Sequence, residues 1–100
     1  MNSPYTIEQL KQRLVPVFQA NNVRRATLFG SYGKGLATER SDVDLLVDSG
    51  LRGMHFFALL EDVCSSLDCE VDLIDTQDII PNSLVDREIR NTGVVIYEQQ

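Results

Sequence analysis

The sequence has few of the nitrogen and sulfur side chains that commonly bind transition metals. Its 100 residues contain one histidine, His55, two cysteines, Cys64 and Cys69, and no tryptophan. The cysteines form no metal-binding spacing with His55, so we interpret them as reduced thiols of a cytoplasmic protein. The chain lacks an apolar run of about 18 residues, which a membrane span would need, and residues 1–5 lack signal-peptide character. We therefore expect a cytoplasmic protein without membrane association.

Positive charge is also scarce. Nine Lys and Arg residues stand against 15 Asp and Glu residues, which gives a formal net charge of -6. This balance disfavours broad electrostatic binding to DNA or RNA, and we expect no direct nucleic-acid contact. The acidic residues could still be functional, because sites for phosphate chemistry bind cations through carboxylates. A hydrophobic fraction of 43% is ordinary for a globular chain, and the length predicts one domain over residues 1–100.

Helix and strand patterns alternate along the chain. Thr6 and Gln9 have capping-box spacing for a helix that ends at residues 21–22, and Pro16 is expected to kink or weaken it. Strands are predicted at 23–29, 43–47, 70–75 and 94–97, and the second of these should be a central strand covered on both faces. A short turn or helix should follow Gly30. Another helix is predicted from the spacing of its apolar face, which consists of Phe56, Leu59, Leu60, Val63 and Leu67.

A last helix is predicted from Pro81 to about Asn91, with Leu84, Val85 and Ile89 facing inward and Gly93 ending it. The alternating order predicts an α/β fold, a small mixed sheet of about four strands with helices packed on it.

Two acidic residues stand together at the start of the second predicted strand. Asp42 and Asp44 share one face of that strand, roughly 6.6 Å apart along the chain. Unpaired burial of two carboxylates would be costly, and a bound Mg²⁺ would remove that cost. Two exposed acids at a strand start are the alternative interpretation.

A glycine-serine pair follows the first strand. Gly30 lets the backbone turn sharply and approach a ligand, the amides that follow favour an anion, and the Ser31 hydroxyl can donate to phosphate. A plain turn with a helix cap is the alternative. The segment lacks the Gly-Lys-Ser/Thr ending of a Walker A motif, so it is not a P-loop.

The combination of these two features is more specific than either one. The segments GSYGKG at 30–35, SDVD at 41–44 and VDLID at 71–75 resemble the signature of the DNA polymerase beta-like nucleotidyltransferases. Within that superfamily the chain resembles the minimal nucleotidyltransferases, or MNT proteins. The resemblance covers almost the whole chain and implies a polymerase beta-like nucleotidyltransferase fold.

The resemblance also implies roles for individual residues. Gly30 and Ser31 match the pair that holds the triphosphate, and Asp42 and Asp44 match the paired metal ligands. Asp72 is the best match to the third carboxylate, which completes the catalytic and metal-binding set.

Other residues near the signature have weaker assignments. Glu70 is the alternative to Asp72 on the same face, whereas Asp75 should point the other way. Lys34 and Arg40 could offset phosphate charge in nucleotide binding or remain solvated. Tyr32 could lie over the nucleotide or close the turn.

The expected activity is Mg²⁺-dependent transfer of a nucleoside monophosphate, AMP from ATP, through two metal ions. Stand-alone MNT proteins typically act as antitoxins paired with a HEPN-domain toxin, an RNase. The resemblance implies that the acceptor is a tyrosine hydroxyl on that toxin. Two alternatives remain open: a non-catalytic antitoxin that occludes its toxin, and an antibiotic nucleotidyltransferase. A homo-oligomer is also possible.

Overall fold

The computed structural model describes residues 5–38 and 41–99 of the chain. Helices and strands alternate in it, as the sequence predicted. Its elements are α1 (Ile7–Ala20), β1 (Arg25–Phe29), α2 (Gly30–Lys34), β2 (Val43–Asp48), α3 (Gly53–Ser66), β3 (Val71–Asp75), a 3₁₀ turn (Thr76–Asp78), α4 (Leu84–Thr92) and β4 (Val94–Glu98).

The four strands form one mixed sheet in the order β3-β2-β1-β4. Strand β1 runs antiparallel to both β2 and β4, whereas β2 and β3 are parallel. A parallel pair needs a crossover connection, and α3 supplies it between β2 and β3. The predicted small α/β sheet of four strands is therefore confirmed.

Helix α1 begins at the predicted capping box. The Thr6 hydroxyl accepts the Gln9 amide at 3.1 Å, and the Gln9 side chain accepts the Thr6 amide at 2.9 Å. The helix continues through the exposed Pro16 to Ala20, so the predicted weakening at proline does not end it. Its inner face is formed by fully buried Leu10, Leu14 and Phe18.

Strand β2 lies in the middle of the sheet, as predicted, but only one of its faces is fully covered. Val43, Leu45 and Val47 are completely buried and share one core with the inner residues of α1 and with Leu59 and Val63 of α3. The alternate residues, starting with Asp44, are half-buried. The expectation of two covered faces is therefore wrong, and Asp44 lies on the more open one.

Helix α4 starts later than the sequence predicted. Asn82 has a left-handed φ of 65°, which interrupts a helix starting at Pro81, and the Ser83 side chain caps the new start by accepting the Asp86 amide. Leu84 is 83% exposed and Val85 is also exposed, whereas Ile89 is half-buried. The inward placement of Leu84 and Val85 is therefore wrong, because the later start leaves the first turn of α4 facing solvent.

Across residues 5–38 and 41–99, the helices are too short or too polar to cross a membrane.

Candidate active site

The candidate site forms where the end of β1 meets the starts of β2 and β3. Phe29, the last residue of β1, lies opposite Asp44 of β2. Asp44 in turn lies opposite Asp72 of β3. This register places Asp44 between the Gly30 turn on one side and Asp72 on the other. Residues predicted from separate segments of the sequence therefore come together at one end of the sheet.

The chain turns sharply at Gly30, directly beside Asp44. Gly30 has a left-handed φ of 69°, which favours glycine because it lacks a Cβ. A Cβ at this position would overlap the Oδ2 atom of Asp44. The turn can therefore approach the carboxylate only with glycine at position 30. Half-buried Ser31 comes next in the chain.

The carboxylates of Asp44 and Asp72 interact directly across β2 and β3. Burial, the negative charge of Asp72 and a side-chain hydrogen bond with Asp72 raise the pKa of Asp44 to about 6. The charges of Asp42 and Glu88 raise it further by smaller amounts. The site is therefore an acidic cluster in which one carboxylate holds its proton more strongly than usual.

A divalent cation fits the donor set of this cluster. Within the part of the chain that the structure describes, no three His, Cys, Asp or Glu side chains are arranged to hold a metal ion as they stand. However, Asp44 and Asp72 share a hydrogen bond and repel one another when both are ionised. A hard cation with oxygen ligands would replace that shared proton and offset the repulsion. Asp42, which is exposed two residues before Asp44, would add a third carboxylate.

Lys34 and Arg40 were the two basic residues considered for phosphate binding, and the structure describes only Lys34. Lys34 lies at the end of α2, and its Nζ atom is 3.3 Å from Oε1 of Glu88 in α4. Both side chains are partly exposed. Arg40 lies outside the described residues. Glu88 was not singled out from the sequence, although it interacts with Lys34 and acts electrostatically on Asp44.

Sequence reasoning also missed Thr92, the last residue of α4. The buried amide of Gly30 donates a hydrogen bond to Oγ1 of Thr92 at 3.0 Å. The same hydroxyl donates to the backbone carbonyl of Glu88 at 2.7 Å. The first of these hydrogen bonds joins residues 62 positions apart, and no local pattern in the sequence signals it.

The structure also resolves alternatives for neighbouring residues. Tyr32 is 5% exposed and packs in the core, so it closes the turn and is not positioned to lie over a nucleotide. Glu70 is exposed and precedes β3. Asp75 is 2% exposed and accepts hydrogen bonds from Ser49. As predicted, it faces away from Asp72.

Comparisons with known proteins agree with this geometry. A Methanocaldococcus jannaschii protein, provisionally named a protein adenylyltransferase, is 39% identical over 44 residues, which cover 44% of this chain and 47% of that protein. The match thus spans just under half the length of that relative.

Several solved structures share the fold. A toxin-antitoxin structure with AMP-PNP has a TM-score of 0.74 at 23% identity, covering 90% of this chain and 74% of that one. The complex of a tri-AMPylated Shewanella oneidensis HEPN toxin with an MNT antitoxin gives a TM-score of 0.70 at 20% identity, covering 95% and 75%. A provisionally assigned minimal nucleotidyltransferase gives 0.73 at 24% identity, covering 93% and 98%.

The family model described as polymerase beta nucleotidyltransferase matches residues 12–100. That range contains the Gly30 turn, the acidic cluster and all four strands. The nucleotidyltransferase predicted from the sequence is confirmed, and this chain belongs to the polymerase beta nucleotidyltransferase family.

Proposed function

We propose that this chain moves AMP from ATP onto a tyrosine hydroxyl of a HEPN-type toxin, in a Mg²⁺-dependent reaction, and thereby acts as an antitoxin. The observation that carries this proposal is the position of Asp44, which faces Asp72 in register and contacts the Gly30 turn. Paired carboxylates can bind a divalent cation, and the glycine-serine turn beside them can bind the triphosphate that carries this cation.

The chain's own residues have distinct roles in this proposal. The Ser31 hydroxyl donates a hydrogen bond to a phosphate oxygen, while Gly30 allows the triphosphate to approach the backbone. Asp42, Asp44 and Asp72 would hold two Mg²⁺ ions. When bound, these ions supply charge neutralisation for the triphosphate and lower the pKa of the attacking hydroxyl.

In this proposal, Asp72 takes the proton in the transfer step. It is exposed on β3, which forms one edge of the sheet, so an acceptor can reach it from outside. The hydroxyl oxygen forms a bond to the α-phosphorus, and the bond from that phosphorus to the β-phosphate oxygen breaks. Pyrophosphate leaves, and the hydroxyl proton passes to the Asp72 carboxylate.

The protein acceptor is supported by the comparisons and by charge. The two toxin-antitoxin neighbours carry AMP-PNP in one case and an AMPylated HEPN toxin in the other, and the archaeal relative is provisionally named a protein adenylyltransferase. A net charge of -6 suits a protein acceptor better than RNA. AMP on the toxin would add negative charge that repels RNA from its active site.

Co-expression with a HEPN-type toxin tests the proposal. Intact mass measurement should show the toxin heavier by whole AMP units, with the mass located on a tyrosine by fragmentation. Asp42→Asn, Asp44→Asn and Asp72→Asn should each remove the shift. Asp78→Asn is the matched control, because it changes charge equally at an exposed position past the other end of β3.

The outcomes separate the alternatives. An unmodified toxin that is neutralised equally well by wild type and by Asp44→Asn indicates occlusion without catalysis. Label from ATP that appears on an aminoglycoside, and never on the toxin, indicates an antibiotic-modifying enzyme. Either result overturns the proposed function.

A further inference from the structure

Helix α4 contacts the nucleotide-binding turn at three points. The Gly30 amide donates to Thr92 Oγ1. A Cβ added to Gly33 would overlap the backbone carbonyl oxygen of Thr92. Glu88 pairs with Lys34. Each contact joins α2 to the second half of α4, so α4 contacts both ends of α2.

Helix α2 depends on such contacts for its position. It contains five residues, Gly30–Lys34, which is too short for a helix to be stable alone. The Gly30 amide is buried, and it would lose its acceptor if the Thr92 hydroxyl were absent. Because Gly30 also lies against Asp44, movement at Gly30 would change the position of Ser31 relative to the acidic cluster.

The Thr92 hydroxyl is itself fixed in direction. It donates its proton to the Glu88 carbonyl at 2.7 Å, so its lone pairs are directed to accept the Gly30 amide. Gly93 then ends the helix, and β4 begins at Val94 beside β1. Thr92 is therefore held on both sides. Its hydroxyl is bonded to the Glu88 carbonyl one helical turn earlier, and the strand that begins two residues later pairs with β1.

We propose that Thr92 is a positioning residue for nucleotide binding, which orients the Gly30–Ser31 turn against Asp44 through its hydroxyl group. This inference rests on the proposed function, since it assigns the turn to the triphosphate. It adds a residue that lies outside the three signature segments and contacts no substrate itself.

Nucleotide affinity should therefore respond to the hydroxyl of Thr92 and not to its methyl group. Thr92→Val keeps the side-chain shape and removes the hydroxyl, whereas Thr92→Ser keeps the hydroxyl. With Mg²⁺ and AMP-PNP as the probe, calorimetry should show a Kd raised about tenfold in Thr92→Val and close to wild type in Thr92→Ser. Thr76→Val is the control, because it makes the same change at an exposed residue remote from α2.

A loss of stability alone would lower Tm in Thr92→Val without changing the Kd of the folded fraction, and that result overturns the inference. Equal Kd values in the Val and Ser variants also overturn it. If Thr92→Val does not fold, Thr92→Ala replaces it, because it also removes the hydroxyl that accepts the Gly30 amide, and a Kd equal to that of Thr92→Ser is then the contrary result. Wild-type protein that fails to bind AMP-PNP contradicts the proposed function itself, so the two failures are distinguishable.

Discussion

Gly30, the first residue after β1, is in contact with Asp44 of β2, so that a methyl group at position 30 would overlap the Asp44 Oδ2 atom. Gly30→Ala should therefore abolish AMP transfer by displacing the carboxylate. It should also destabilise the fold by about 1–2 kcal/mol, because alanine is strained at a left-handed φ. Activity and denaturant unfolding of the same preparation measure the two effects.

Gly50→Ala is the matched control for this substitution. Gly50 also has φ 69°, but a Cβ there would meet only the Arg24 side chain, at 4.0 Å. It should show a similar loss of stability with transfer retained. Full activity in Gly30→Ala would show that the close approach to Asp44 is not required.

The stability of the metal-free protein should depend on Asp44 in a defined pH window. Its pKa is raised from 3.8 to about 6 in the folded chain, so the folded state holds this proton more strongly than the unfolded chain does. The resulting stability is fully present below pH 3.8 and is lost as pH rises through about 6. Asp44→Asn should therefore be more stable than wild type at pH 8, by on the order of 1 kcal/mol after solvent screening.

Thermal unfolding in EDTA from pH 4 to pH 8 measures this difference. The advantage of Asp44→Asn should disappear near pH 4, and the Asp78→Asn variant controls for the loss of one carboxylate at an exposed, remote position. Adding Mg²⁺ at pH 8 should raise the Tm of wild type more than that of Asp44→Asn, because a ligand stabilises the state that binds it. A Tm for Asp44→Asn below wild type at pH 8 in EDTA contradicts the prediction.

Lys34 should exchange its partner when ATP binds. It is paired with Glu88 at 3.3 Å, and both side chains are solvated enough that the pair is weak. Glu88→Gln should lower the KM for ATP by about twofold to fivefold, and Lys34→Met should raise it by a similar factor. The double variant should be closer to Lys34→Met than to Glu88→Gln, because Glu88 pairs directly with Lys34 and has only a small effect on Asp44.

Lys11→Met is the control for this series, since Lys11 pairs with Glu8 in α1 at 3.8 Å and should leave the KM unchanged. A KM in Lys34→Met equal to that of wild type would show that Lys34 is a surface cation without a role in binding.

Two aspartates of β3 should behave in opposite ways. Asp75 is buried and accepts hydrogen bonds from Ser49 and from the Gln77 amide. Asp75→Ala should therefore destabilise the fold by about 2–4 kcal/mol, because it leaves those donors without their acceptor. Asp72→Ala should remove transfer without a comparable loss of stability, because Asp72 is exposed and its charge repels that of Asp44. Urea unfolding measures the stability of each variant, and the toxin mass shift measures its transfer activity. A large loss of stability in Asp72→Ala, or none in Asp75→Ala, would contradict the prediction.

The sequence predicted those features that depend on neighbouring residues. The Thr6 capping box and the strand ending at Phe29 follow from short spacings, and the structure has both of them. The shared face of Asp42 and Asp44 stays a prediction, because Asp42 precedes β2. Strand alternation also placed Asp72 and Asp75 on opposite faces, since residues an odd number apart point in opposite directions.

Features set by tertiary packing were not predictable in this way. Leu84 has the spacing of an inward residue, yet the Ser83 cap and the left-handed Asn82 move the start of α4 and leave it exposed. The contact of Thr92 with Gly30 joins distant segments. It depends on β4 lying beside β1, and no local spacing specifies that neighbour.

The alignment of β2 with β3 has a consequence for how this protein can tolerate insertions. A slip of one residue would set Val71 or Leu73 opposite Asp44 and turn Asp72 to the other side of the sheet. Helix α3 joins the two strands, and its buried Leu59 and Val63 anchor it to the core. One residue inserted between Val71 and Asp72 would therefore move Asp72 out of register with Asp44, although every acid, glycine and serine of the signature would remain in the sequence.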